Sequence, residues 1–139
     1  MPAPPISCTI PSDIHEIPAV SEHLEAAMRK QGFSDDDILD TQLAVEEMVT
    51  NVIVHGYGDK GGEIVISWQG GDDDIAIRLE DKAPPFDPLS LPEPDLASDI
   101  DDRKIGGLGI FLSRKIMDEV TYRYEDGKNI LSMVKRKPA

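Results

Sequence analysis

The sequence predicts an α+β fold, a two-layer α/β sandwich whose helices pack on one face of a mainly antiparallel sheet. Apolar and polar residues alternate over 74–81, which predicts a strand, and apolar residues recur at helical spacing after residue 35. Asp126-Gly127 between two strand-like runs is a strong hairpin signal. The predicted order is strand, helix, helix, two strands, long loop, helix, two strands, which is typical of an α+β sandwich.

The first half of the chain supplies one strand and two helices. Residues 6–11 predict a short strand. A first helix begins near Pro18, a favourable residue for a helix start, and Gly32 ends it. Ser34 is suited to cap a second helix, which we expect over 35–55.

The second half of the chain consists of strands around a long loop and a third helix. The loop covers residues 82–105, is rich in proline and acidic residues, and has no sustained period. A loop of this length within a domain is usually functional. The third helix is expected to open at Gly106 or Gly107. The predicted strands are 63–69, 74–81, 119–126 and 129–136.

Length and charge limit the classes of function. The chain of 139 residues fits one domain, 1–139, and its net charge of −13 repels phosphate backbones, so we expect no direct nucleic-acid partner. Cys8 has no second cysteine to pair with, which favours a reducing compartment. No apolar run approaches the roughly 20 residues of a membrane span, and no signal peptide is visible. We therefore expect a cytoplasmic protein without a membrane partner.

An acid and an amide share one face of the second predicted helix. Glu47 and Asn51 are four residues apart, which is about one helical turn. Leu43 and Val54 flank Glu47 in angle, so this outer face is partly apolar, and a cleft would explain it. An ordinary amphipathic helix with a surface acid explains the pattern equally well.

Two further segments carry weaker signals. Asp81 ends an alternating strand, where its carboxylate could accept a hydrogen bond from an exocyclic amine, although acids at strand ends are usually solvated. Gly106, Gly107 and Gly109 lie where the loop enters the third helix. Glycines let the backbone approach a ligand, and free N–H groups at a helix N-terminus bind phosphate, but glycines also simply end loops.

Taken together, the three segments resemble the nucleotide-binding boxes of the histidine-kinase-like ATPases. The carrying motifs are Glu47 and Asn51 running into HGY, DKAPPFDP from Asp81, and GGLGIFLSRKIMDEV from Gly106. They are more narrowly similar to those of the bacterial anti-sigma-factor serine kinases. The resemblance covers about residues 6–135 and implies the Bergerat ATP-binding fold, with ATP and Mg²⁺ as cofactors and an ATP lid at about 82–107.

The resemblance also implies a role for each matching residue. Asn51 would coordinate Mg²⁺, and Glu47, one turn earlier, would be the catalytic residue that orients or deprotonates the attacking hydroxyl. Glu46 would be a surface acid. Asp81 would accept the adenine amino group. The remaining implied nucleotide-binding residues are Ala83, Gly106, Gly107, Leu108 and Gly109.

The chain departs from the family pattern in two places. Ala83 stands where the family commonly has glycine, which is tolerable if the backbone there does not need a positive φ. The lid is acidic, and Arg103 and Lys104 are its cations near the glycines; they would either reach the phosphates or form a solvated charge pair. His55 and Tyr57 fit the family pattern and are interpreted as structural or cleft-lining residues.

The implied function is a partner-switching kinase. It would phosphorylate a serine of a STAS-type anti-anti-sigma protein, sequester a sigma factor or similar target, and form a homodimer. The alternative is a nucleotide-dependent binding module that sequesters its partner without phosphate transfer. A free-standing histidine-kinase catalytic domain is disfavoured, because no phosphoacceptor-histidine helix precedes the domain and the PFDP sequence points elsewhere.

Overall fold

Five antiparallel strands form one sheet, and helices pack on one of its faces. A computed structural model describes residues 5–90 and 107–138. The α-helices in these ranges are α1 (Ile17–Lys30), α2 (Asp35–Asn51) and α3 (Gly107–Ile116), and the strands are β1 (Ile6–Pro11), β2 (Glu63–Gly70), β3 (Asp74–Asp81), β4 (Glu119–Glu125) and β5 (Lys128–Arg136). The predicted α+β class and order of elements are confirmed.

The strand order is β1-β2-β3-β5-β4, and all four pairings are antiparallel. The order is not the chain order, because β5 inserts between β3 and the preceding strand β4. The β4–β5 hairpin turns at Asp126 and Gly127, which both have a positive φ, as a type I′ turn requires. This insertion places the start of β5 directly opposite the end of β3, where Asp81 pairs with Asn129.

The helix-facing side of the sheet is apolar because its strands alternate. Every second side chain of β2, β3 and β5 is buried against the helices, and the intervening residues are mostly polar or small. The buried strand residues of this face include Ile64, Ile66, Trp68, Ile75, Ile77, Leu79, Leu131 and Met133. From the helices, the largest fully buried side chains are Leu24, Met28, Ile38, Val45, Met48 and Val49. This shared core holds α2 firmly across the sheet.

Helix α2 begins at a capping serine and ends in a π-helical turn. The backbone N–H of Asp37 donates to Oγ of Ser34 at 3.2 Å, which satisfies one free N–H group of the first turn. The prediction of a regular helix through His55 needs a correction. After Asn51 the chain widens into a π-helical turn, Val52–Tyr57, which Gly58 ends at a positive φ of 57°.

Within the described residues, no helix is both long enough and apolar enough to cross a membrane. Most of the predicted lid, together with Gly106, lies outside the described residues.

Candidate functional site

Asn51 ends α2 with a buried amide oxygen that receives no hydrogen bond from the described residues. The residue is 6% exposed, and its Oδ1 has no hydrogen-bond partner in the described part of the chain. A buried carbonyl oxygen without a partner costs roughly 1–3 kcal/mol. Such an oxygen has lone pairs that no described group uses, and an amide oxygen is a ligand that Mg²⁺ accepts. The donor chemistry at Asn51 fits the expected metal.

Glu47 lies one turn before Asn51 and packs against α3. A Cβ atom added to Gly109 would lie 2.9 Å from Cδ and 3.4 Å from Cβ of Glu47, and closer still to its carboxylate oxygen. The absence of a side chain at Gly109 is what makes room for this carboxylate. Leu43 and Val54, from which the sequence suggests a cleft, are themselves 39% and 48% exposed. The structure places Glu47 against the start of α3.

Glu46 and Glu47 are both partly buried, so exposure alone does not distinguish them. The expectation that Glu46 is an open surface acid is therefore too simple. What separates the two acids is the contact of Glu47 with Gly109, at the start of α3. The first-turn N–H groups of a helix are free and attract anions, so Glu47 lies beside a position suited to phosphate.

Asp81 is buried at the end of β3 and is held on one oxygen. Its Oδ1 accepts hydrogen bonds from the backbone N–H of Ala83 at 3.0 Å and from Nδ2 of Asn129 at 2.9 Å. Burial raises the pKa of Asp81 above its usual value, and these two hydrogen bonds oppose that rise. The second oxygen receives no hydrogen bond from the described residues. A buried carboxylate with one open oxygen is suited to accept from an amine.

Ala83 fits its position without backbone strain. Among the described residues, Asp126 alone combines a positive φ with a side chain, so Ala83 needs no glycine for conformational reasons. Its side chain is 3% exposed and packs close to Gly56, where an added Cβ would lie 3.2 Å from that of Ala83. The methyl group therefore belongs to the packing of the π-helical turn against the segment after β3.

One cleft brings Asn51 and Asp81 together. It opens between the end of α2, the end of β3 and the start of β5. Its lining is mainly apolar with a few polar groups, as small-molecule sites are. The lining residues are Met48, Asn51, Val52, Gly56, Asp81, Pro84, Phe86, Pro88, Tyr122, Asn129 and Leu131.

The glycine turn is described only in part. Gly107, Leu108 and Gly109 form the first turn of α3, and Gly106 lies outside the described residues, as do Arg103 and Lys104. Ser113 fastens this helix to α2: its hydroxyl donates to the carbonyl oxygen of Gly109 at 2.9 Å and lies 3.4 Å from that of Ala44. These contacts therefore fix the position of the first turn of α3 relative to Glu47 on α2.

Tyr57 connects β2 to the residue that follows β3, and it lines a second cavity, which Asp81 also borders. Its hydroxyl donates to the carbonyl oxygen of Glu63 and accepts from the backbone N–H of Lys82, each at 2.7 Å. Burial raises the pKa of this hydroxyl, so it stays neutral at physiological pH. These contacts agree with the interpretation of Tyr57 as structural, and His55 is exposed.

Sequence reasoning missed Asn129, which lines the cleft and contacts Asp81. Asparagine is depleted in strands, so its presence in a strand-like run was a usable signal. Its partner, however, depends on the insertion of β5 beside β3 and cannot be read along the chain.

Comparisons with known proteins show the family of this chain. Residues 10–135 match the family described as histidine kinase-like ATPase domain. A protein from Staphylococcus aureus named serine-protein kinase RsbW is 35% identical over 136 residues, covering 94% of this chain and 85% of that protein. The protein of the same name from Halalkalibacterium halodurans is 34% identical, covering 94% of this chain and 82% of that protein.

A solved structure shows the same fold. It is the crystal structure of the RsbU and RsbW domains of a Mycobacterium tuberculosis protein, with a TM-score of 0.68 and 21% identity. The match covers 99% of this chain and 34% of that longer chain. The extent of the family match and the identity to two RsbW proteins leave one assignment: this chain belongs to the histidine kinase-like ATPase family, in the group of the serine-protein kinases RsbW.

Proposed function

We propose that this chain is an Mg²⁺-ATP-dependent protein-serine kinase that acts in a partner switch. Its substrate would be a serine of a STAS-type anti-anti-sigma protein, and its second partner a sigma factor or similar target. The observation that carries the proposal is the buried Oδ1 of Asn51, which has no partner among the described residues and shares a cleft with the carboxylate of Asp81. The names of the RsbW relatives support the kinase class.

Different described residues would bind different parts of the nucleotide. The open oxygen of Asp81 accepts the adenine amino group, and guanine, which carries a carbonyl oxygen there, is repelled. Ala83 is included by resemblance alone, because its buried methyl group packs near Gly56 and is not part of the cleft lining. The first turn of α3, from Gly107 through Leu108 to Gly109, offers its free N–H groups to phosphate, and we include Gly106 by resemblance alone. Asn51 would hold Mg²⁺, which would supply charge neutralisation at the phosphates.

Glu47 would orient the acceptor hydroxyl and accept its proton. The serine oxygen forms a bond to the γ-phosphorus, the bond from that phosphorus to the bridging oxygen breaks, and ADP leaves with the electron pair. A carboxylate is far too weak a base to remove the hydroxyl proton in advance. Glu47 therefore orients the hydroxyl and takes its proton late in the transfer.

The test is phosphate transfer from γ-labelled ATP to a purified candidate STAS protein in the presence of Mg²⁺. Glu47→Ala should reduce transfer by roughly a hundredfold or more while ATP binding persists. Glu46→Ala is the matched control, because it removes the adjacent carboxylate, and it should keep most of the activity. Wild-type ATP binding without any transfer would leave the sequestering module as the function.

We also propose a homodimer and a cytoplasmic location, on the resemblance and on the single cysteine, Cys8. Light scattering of the purified chain across a concentration series tests the dimer, and a purely monomeric chain would contradict it.

A further inference from the structure

Asn129 is a buried polar residue at the start of β5, directly opposite Asp81 in the β3–β5 register. Both residues are 6% exposed. A buried amide is costly unless its donors and its acceptor are all paired. The contacts of Asn129 therefore indicate what keeps an amide in this strand.

The amino group of Asn129 binds the segment after β3. Nδ2 donates to Oδ1 of Asp81 at 2.9 Å and to the carbonyl oxygen of Ala83 at 3.0 Å, and it lies 3.3 Å from that of Pro84. Three oxygens surround a group that has two hydrogens. This surrounding fixes the orientation of the amide, because the reversed orientation would place oxygen against oxygen.

The carbonyl oxygen of Asn129 is equally occupied. It accepts from the backbone N–H of Phe86 at 3.2 Å and from the hydroxyl of Tyr122. One side chain thus joins β4, β5, the end of β3 and the segment that leads towards the lid. These contacts lie on the wall of the cleft itself.

We propose that Asn129 is the positioning residue of the base-recognition site. By donating to Oδ1 of Asp81 and binding the segment from Ala83 to Phe86, it leaves the second carboxylate oxygen as the acceptor for an exocyclic amine. Asn129 thereby sets the preference for adenine over guanine nucleotides. The inference rests on the proposed function, since it assumes that the cleft binds ATP.

The ionisation of Asp81 provides a readout that a purely structural role would not move. Burial raises the pKa of Asp81, and the hydrogen bond from Asn129 is the largest influence that lowers it. Loss of this bond raises the pKa of Asp81 further. As the pH is lowered, a variant without the bond should therefore lose ATP binding at a higher pH than the wild type does. Asp81 also borders a second cavity, whose other titratable groups are Tyr57, Glu63, Glu80, Lys82 and Lys128. Tyr122 is the further titratable group near Asp81 on the side of the cleft.

Two variants test the inference in calorimetric titrations with Mg²⁺-ATP and Mg²⁺-GTP between pH 5 and 8. Asn129→Leu keeps the approximate shape and removes every hydrogen bond, and Asn129→Asp keeps the acceptor oxygen but places a second carboxylate beside Asp81. In both we expect ATP affinity at pH 7 to fall about tenfold or more, the size expected when a hydrogen bond to a charged group is lost. The ratio of ATP to GTP affinity should fall as well, and the pH midpoint for loss of ATP binding should rise.

Ser132→Ala is the matched control on β5, because Ser132 pairs with Arg78 and is three residues beyond Asn129, on the opposite face of the sheet. It should leave all three readouts at the wild-type values. Thermal unfolding shows that each variant is folded. A folded Asn129→Leu or Asn129→Asp protein with the wild-type affinity ratio and pH midpoint overturns the inference while the proposed function stands. A wild type that binds no ATP overturns both.

Discussion

Gly109 on α3 leaves the space that the carboxylate of Glu47 on α2 occupies. A Cβ at position 109 would collide with that carboxylate, so Glu47 can keep its carboxylate in this place only if residue 109 lacks a side chain. The contact links the first turn of α3, where phosphate would bind, to the acid that would face the acceptor hydroxyl. Substitutions at these two positions should therefore change the rate of phosphate transfer much more than the free energy of unfolding.

Gly109→Ala should slow phosphate transfer at least tenfold with a loss of less than about 1 kcal/mol in unfolding free energy. The reason is that the atoms in the way are mainly the flexible end of Glu47, which can move aside but then leaves its position. Single-turnover transfer and urea unfolding measure the two effects. In a Glu47→Ala background the added methyl group meets no carboxylate, so a stability loss that remained there would contradict this explanation.

Asn51→Leu should match or exceed the wild type in stability without nucleotide, by up to about 1 kcal/mol. A side chain of similar shape replaces a buried oxygen that has no partner in the described chain. The stabilisation that Mg²⁺-ATP gives the wild type should disappear in the variant. Thermal unfolding with and without Mg²⁺-ATP measures both effects. A nucleotide-induced shift equal to that of the wild type would show that Asn51 is not the metal ligand.

Asp81→Asn should be at least as stable as the wild type at pH 7. Burial raises the pKa of Asp81 in the folded chain, so the folded state holds the proton more tightly than the unfolded state, whose pKa is about 3.9. The unfolding free energy of the wild type therefore falls as the pH rises through the interval between the two pKa values. Below about pH 4 the advantage of the variant should shrink. Urea unfolding at pH 3.5 and pH 7 measures the difference.

The same substitution should abolish the preference for adenine. The variant keeps an oxygen for Ala83 and Asn129, but it turns an amino group towards the cleft in place of the open carboxylate oxygen. Titration with ATP and GTP is the measurement. Unchanged selectivity would place base recognition elsewhere in the chain.

Ala83→Gly should lower the unfolding free energy by about 1 kcal/mol and change ATP affinity less than about threefold. The backbone of Ala83 is not in the left-handed region, so glycine brings no relief of strain, and a buried methyl group is lost beside Gly56. Chemical unfolding and ATP titration of the same preparation test the pair of effects. A large gain in ATP affinity would instead mean that the methyl group obstructs the base.

Much of the candidate site could be predicted from the sequence, because its residues belong to short segments with recognisable patterns. Glu47 and Asn51 are linked by helical spacing, and Asp81 was marked by its place at the end of an alternating strand. The π-helical turn after Asn51 was not accessible, since residues 52–55 continue an apolar helical pattern. The π-helical turn makes contacts with residues that are distant in the sequence. Gly56 packs against Ala83, and Tyr57 binds the backbone of Glu63 and Lys82.

The sequence by itself determined the α+β class, the order of the elements and nearly all their boundaries, because periodicity, caps and turn residues act within a few positions of the chain. Only the tertiary structure decided which distant residues meet. The insertion of β5 beside β3 brought Asn129 to Asp81, and the packing of α3 on α2 brought Gly109 to Glu47. Such contacts arise from burying a shared apolar core, and a local pattern does not encode which partners that burial selects.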